Sequence, residues 1–132
     1  MRKIILLLIV VFLSLDTLKA QVSMSCYHRE YCNYSNYTQS YTRCDGYDEP
    51  SLFVMNSNET MFTHTTESIK STYYVKEKAY DEDTEMFIYY VTSDVGNEYI
   101  YSFDLPNKEI KALGEDNDGS VFLIRFYVKS FF

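Results

Sequence analysis

The chain has no tryptophan, two prolines, two histidines and four glycines among its 132 residues. Each shortage excludes something. Glycine at positions 46, 96, 114 and 119 alone leaves no glycine-rich phosphate loop and no sharp glycine-flanked nucleophile elbow. With histidine only at His28 and His64, any histidine-dependent hydrolysis must use one of those two. Positive charge is scarce as well, 12 Lys and Arg against 19 Asp and Glu. An acidic chain without a basic patch repels phosphate backbones, so nucleic acid is excluded as a partner and anionic membrane surfaces are disfavoured. No cofactor motif is present.

Long apolar runs are missing too, except at the start. Arg2 and Lys3 precede an apolar stretch from Ile4 to Leu15, and Asp16 to Ala20 ends in a small residue. This pattern predicts a secretory signal peptide, residues 1–20, cut between Ala20 and Gln21. The stretch is shorter than the roughly 20 residues that span a bilayer, and no later segment is apolar enough to cross. The expected product is secreted or periplasmic, and it is more acidic still, because the leader holds Arg2, Lys3 and Lys19 but only Asp16. What remains is enough chain for a single folded unit, 21–132.

Three cysteines remain, Cys26, Cys32 and Cys44. An oxidising compartment predicts one disulfide among them, and the sequence leaves all three pairings open. A Cys26–Cys44 bridge would be worth about 3 kcal/mol on the chain-entropy estimate. The odd thiol stays free or links two chains into a dimer. With His28, these cysteines could also be offered as zinc ligands, but their spacing lacks paired C-x2-C knuckles.

What the chain has in abundance is tyrosine, 14 residues, all beyond the leader. Residues 51–132 are short runs rich in Tyr, Phe, Val, Ile and Thr, separated by turn signals. Strands are predicted at 51–55, 60–66, 71–78, 86–93, 98–105, 109–113 and 121–132. The alternation is clearest in 98–105, where Tyr99, Tyr101, Phe103 and Leu105 share a face. Phe122, Ile124, Phe126 and Val128 share a face in the last strand. Short connections make neighbours antiparallel. The expected fold is all-β, an antiparallel meander of about six to seven short strands forming a curved sheet, a partly closed barrel or a small sandwich. Residues 65–71 are the one helix candidate here, with Thr66 as cap.

Residues 21–50 read differently, as a Cys/Tyr-rich N-terminal arm. Tyr27, Tyr31, Tyr34, Tyr37 and Tyr41 recur at three or four residues, the spacing of one helix face. The interleaved Asn33, Ser35, Asn36, Thr38 and Ser40 compete for backbone hydrogen bonds and favour an irregular, disulfide-tied arm instead. These five tyrosines are the candidate binding residues, because amphipathic rings stack on sugars and on partner side chains.

The stretch Gly114–Phe126 imitates a calcium loop, with Asp116 and Asp118 as weak ligand candidates. With Gly119 at the loop's sixth position, Gly114 replaces the first acid and Arg125 the closing glutamate. A hairpin turn explains the segment better. Asn33, Asn36 and Asn58 head three glycosylation sequons, relevant only in a eukaryotic pathway. The sequence thus points to a small exported, non-catalytic binding or interaction module with a protein or glycan partner. A small hydrolase centred on His64, or a structural envelope-associated protein, is the alternative.

Overall fold

The computed structural model describes residues 21–132; the proposed leader lies outside the described residues. Eight strands follow one another: β1 (Val22–Ser35), β2 (Ser40–Met55), β3 (Met61–Thr65), β4 (Lys70–Asp81), β5 (Met86–Ser93), β6 (Glu98–Asp104), β7 (Glu109–Glu115) and β8 (Val121–Phe131). Each pairs antiparallel with the next, and β8 returns to β1, closing the sheet into a barrel. The fold class expected from the period-two pattern is therefore present, in its closed form. No helix occurs among the described residues.

Two local expectations differ from the structure. Residues 21–50, read as an arm, are strand β1 and the larger part of β2. The polar residues that compete for backbone bonds in a helix do not compete in a sheet, where neighbouring strands satisfy the backbone. Residues 65–71 form no helix either. Thr65 and Lys70 are the last β3–β4 pair, and Thr66 closes a tight turn, its amide donating to the Ile69 carbonyl at 2.8 Å and its Oγ1 accepting from the Ile69 amide at 3.1 Å. Two turns of helix cannot offset the cost of nucleation when a ladder is on offer.

The shortage of glycine shows in the hairpins. Gln39, Glu59, Glu85 and Lys108 all take positive φ between 53° and 57° at strand connections. Ordinary side chains occupy conformations that cost about 1–2 kcal/mol outside glycine, and the ladders on either side hold them there.

Closure depends on the β1–β8 seam. Glu30 lies opposite Arg125, whose Nη1 donates to Glu30 Oε1 at 2.9 Å, and the Tyr127 hydroxyl donates to the same oxygen at 2.7 Å. The Tyr127 bond, with help from Arg125, holds the Glu30 carboxyl below the usual carboxylate range. Glu109 approaches Arg125 Nε at 4.0 Å and Lys111 Nζ at 3.5 Å, extending a charged band along the outside. No helix among the described residues is long and apolar enough to cross a membrane.

Inside, alternate side chains meet in an aromatic layer across the middle. Phe53, Phe62, Val91 and Ile110 are fully enclosed, with Tyr101, Phe103 and Phe126 around them. Phe62 and Phe103 meet edge to face at 5.4 Å, and Phe53 and Phe126 at 5.0 Å. Each such pair adds about 0.5–1.5 kcal/mol beyond its burial. An eight-stranded barrel is just wide enough for side chains to fill or for one small ligand. Here the middle is filled, and hollows remain at the two ends.

Candidate binding site

One hollow opens at the end of the barrel that carries the loops 66–69 and 94–97. It encloses about 250 Å³ and is lined by Arg29 and Tyr47, Glu49, His64, Tyr73, Tyr101 and Phe126 among others. Each polar member arrives by strand geometry. On β2, Tyr47, Glu49, Ser51 and Phe53 follow strict alternation, and Phe53 is in the core. On β1 the alternation breaks. Met24 and Cys26 are buried, then a bulge between Cys26 and His28 shifts the register against both neighbouring strands. Beyond it Arg29, not His28, turns inward, opposite Phe126 on one side and Tyr47 on the other.

The Arg29 guanidinium is held between two rings, 5.5 Å from the Phe126 centroid and 5.6 Å from that of Tyr47. Its Nη1 reaches Glu49 Oε1 at 3.4 Å, long for a hydrogen bond. Its Nε is buried and has no partner in the protein. His64 lies opposite Phe53 on β2 and Ser71 on β4, and its ring stacks on Phe53 at 4.1 Å. The imidazole is 7% exposed, and its Nε2 also has no partner. Burial first, and the Arg29 charge second, bring its pKa down from 6.5 to about 4. The ring is therefore neutral near pH 7, with one nitrogen able to donate and one to accept. Of the four buried side-chain polar atoms without a partner among the described residues, these two belong to residues that line the same cavity.

The site has little catalytic equipment. His64 and Ser71 are cross-strand neighbours but form no hydrogen bond to one another, and the only free cysteine, Cys26, is buried with its thiol pushed up to about 12 by its surroundings. A thiol so held is a poor nucleophile.

The other candidates fall elsewhere. Tyr34 and Tyr41 meet as a T-shaped pair at 5.1 Å near the tip of the β1–β2 hairpin, where Tyr37 is 99% exposed. Tyr31 stacks on Phe122 at 5.4 Å, and Tyr27 joins a different cluster with Tyr127 at 6.4 Å. The five tyrosines thus do not share one face, because a strand distributes them by twos and the bulge shifts the count. Cys32 and Cys44 are disulfide-bonded, with Cα atoms 4.1 Å apart. The odd thiol that could link two chains is Cys26, and it is buried rather than presented to a second copy. His28 Nδ1 sits 2.7 Å from Asp48 Oδ1, so the zinc candidates are dispersed.

Asp116 and Asp118 lie in the β7–β8 hairpin. There the Gly119 amide donates to the Asp116 carbonyl at 2.9 Å, and the Ser120 amide to Asp118 Oδ1 at 3.0 Å. Gly119 takes φ 87°, as that turn requires. No group of three or more metal-ligating side chains is gathered among the described residues. Gly114 has a separate role: a Cβ there would come within 2.4 Å of the Phe122 ring.

A second hollow, about 270 Å³, faces the opposite end and is lined by Met24, Met55, Phe87, Phe103 and Leu105, with Tyr89 and Glu59 at its edge. A third, about 560 Å³, lies between the ends of β5, β6 and β7 near Tyr90, Ile100 and Leu113, and none of its lining residues carries an unpartnered buried polar atom. Sequence reasoning singled out His64 but not Arg29, Glu49, Tyr73 or Tyr101. Alternation put Tyr101 on one face with Phe103 and could have placed Glu49 inward too; nothing in the sequence announces the bulge that brings Arg29. Comparison with known proteins returns no matching family and no similar curated protein.

Proposed function

We propose that the protein is an exported, non-catalytic binding module that takes a small molecule into the Arg29–His64 end of its barrel. One observation carries this reading: Arg29 and His64, each holding a buried polar atom without a partner, line one open cavity. An unsatisfied buried donor costs about 1–3 kcal/mol, and a ligand that supplies its partner recovers that energy on binding. The rigid aromatic layer beneath keeps the cavity formed before a ligand arrives, which limits the ordering cost of binding. An isolated imidazole and a protonated thiol argue against the hydrolase alternative.

Titrating a fragment library into ¹⁵N-labelled protein tests the reading. Ligands should shift the amides of Arg29, His64, Tyr73 and Tyr101 together. A library whose hits all leave these signals in place would refute it.

A second reading keeps a protein or glycan partner on the hairpin tip, favoured by the fully exposed Tyr37 beside the Tyr34–Tyr41 pair. Replacing Tyr34, Tyr37 and Tyr41 by alanine would weaken that partner and leave small-molecule binding in the cavity unchanged.

A further inference from the structure

Resting on the proposed binding role of this cavity, we infer that its ligand is a small aromatic monocarboxylate. The charge of the site sets the head group. Arg29 is the only cation lining the cavity, and Glu49, its only acid, is turned to Arg29 through one long contact at 3.4 Å. That contact engages Nη1 alone, and the Arg29 side chain stays 24% exposed. A carboxylate meeting the exposed edge of the guanidinium makes a two-point contact with its planar fork, which an ammonium or a neutral alcohol cannot do. The rings of Tyr47 and Phe126 flank the guanidinium and fix its plane.

Arg29 and Glu49 leave the lining without net charge, so a monocarboxylate adds one negative charge and a phosphate or sulfate dianion two, with no second cation among the lining residues. His64 does not supply it, being neutral above about pH 4. As a neutral ring it offers its nitrogen to a hydroxyl or to the second carboxylate oxygen.

The walls set the body of the ligand. The Tyr73, Tyr99 and Tyr101 rings lie 5.0–6.1 Å apart in tilted and edge-on arrangements, with Ile124 and Phe126 across from them. Such rings accept another aromatic ring edge to face. A cavity of roughly 150 Å³ holds a benzene, so the 250 Å³ here takes one ring with its carboxylate and a further small substituent.

The test is calorimetric titration of the intact mature protein at pH 7 with benzoate and 4-hydroxybenzoate, each against its neutral amide, together with the amide-shift map. The expected result is about tenfold tighter binding of the acids, the margin of one charge-assisted contact. Arg29→Gln should erase that preference. Glu49→Gln should widen it several-fold by removing the competing carboxylate. Should Arg29→Gln fail to fold, the Glu49→Gln comparison decides alone, since Arg29 stays in place.

Equal binding of acid and amide, or a preference indifferent to both substitutions, overturns the ligand class while leaving the cavity as a binding site. Shifts at Arg29 and His64 produced by neither acids, amides nor the wider fragment library overturn the cavity reading itself, and this inference with it.

Discussion

The two ends of the barrel are built by the same eight strands and the same alternation, yet they differ in what the inward positions hold. At one end those positions carry Arg29, Glu49, His64 and Tyr73. At the other they carry Met24, Met55, Phe103 and Leu105, and the Tyr89 hydroxyl there donates to Glu59 Oε1 at 2.8 Å. The apolar end satisfies its polar atoms within the chain. The polar end leaves two unsatisfied. Satisfied and unsatisfied polar groups are thus separated along the barrel axis, with the aromatic layer between them.

That contrast can be broken first at the layer itself. Phe53 is fully buried and touches rings from Phe62, His64, Phe103 and Phe126. Phe53→Ala should cost about 3–5 kcal/mol in urea unfolding, and it should loosen both ends at once. A loss below 1 kcal/mol would mean that the layer does not hold the barrel.

Acid should act on the polar end through His64. The folded pKa of His64 is about 4, below its ordinary 6.5, so the unfolded chain takes up the proton more readily. Stability then rises with pH between those values and is lost as pH falls through them, by up to about 1.4 kcal/mol per unit and about 3 kcal/mol in all. Comparing unfolding midpoints of the wild type and His64→Phe from pH 7 to 4 isolates this slope. Parallel profiles would refute it.

The disulfide sharpens the contrast at the polar end's rim. Cys32 and Cys44 are separated by 12 residues within one hairpin. On the chain-entropy estimate their replacement by serine costs at most about 3 kcal/mol. Hydrogen exchange should increase more near Tyr34 and Tyr41 than around Met55 and Leu105.

The smallest effects belong to the apolar end and the turns. Tyr89→Phe removes one donor from Glu59, which keeps Lys78 Nζ at 3.1 Å, and should cost about 1 kcal/mol by thermal unfolding. Lys108→Gly, at φ 54°, should stabilise by about 1 kcal/mol, because glycine adopts that conformation without a Cβ penalty. Destabilisation there would show that the Lys108 side chain contributes more than its backbone strain costs.

How far the sequence could be read depended on where periodicity stayed intact. Strands β3 to β8 were legible because Tyr, Phe, Val and Ile alternate between turn residues, and β5 begins and ends where expected, at 86 and 93. The hairpin at Gly119 was legible for the same local reason, since a turn between two strands needs a residue that tolerates positive φ. Residues 21–50 were not, because their tyrosine spacing mimics a helix face and their polar residues mimic a loop. The β1–β2 hairpin pairs part of that segment locally, but the other edge of β1 is paired by β8, nearly a hundred residues away, as the Glu30–Arg125 contact shows.

By itself, then, the amino-acid sequence determined an antiparallel all-β chain and the membership of most of its inner face, because alternation and turn chemistry act over a few residues. The tertiary structure decided three things. It closed the meander into a barrel through β1 and β8, it chose Cys44 as the partner of Cys32, and it turned Arg29 inward through a bulge. All three depend on register between distant strands, and a single extra residue in a ladder reverses which side chains meet the interior.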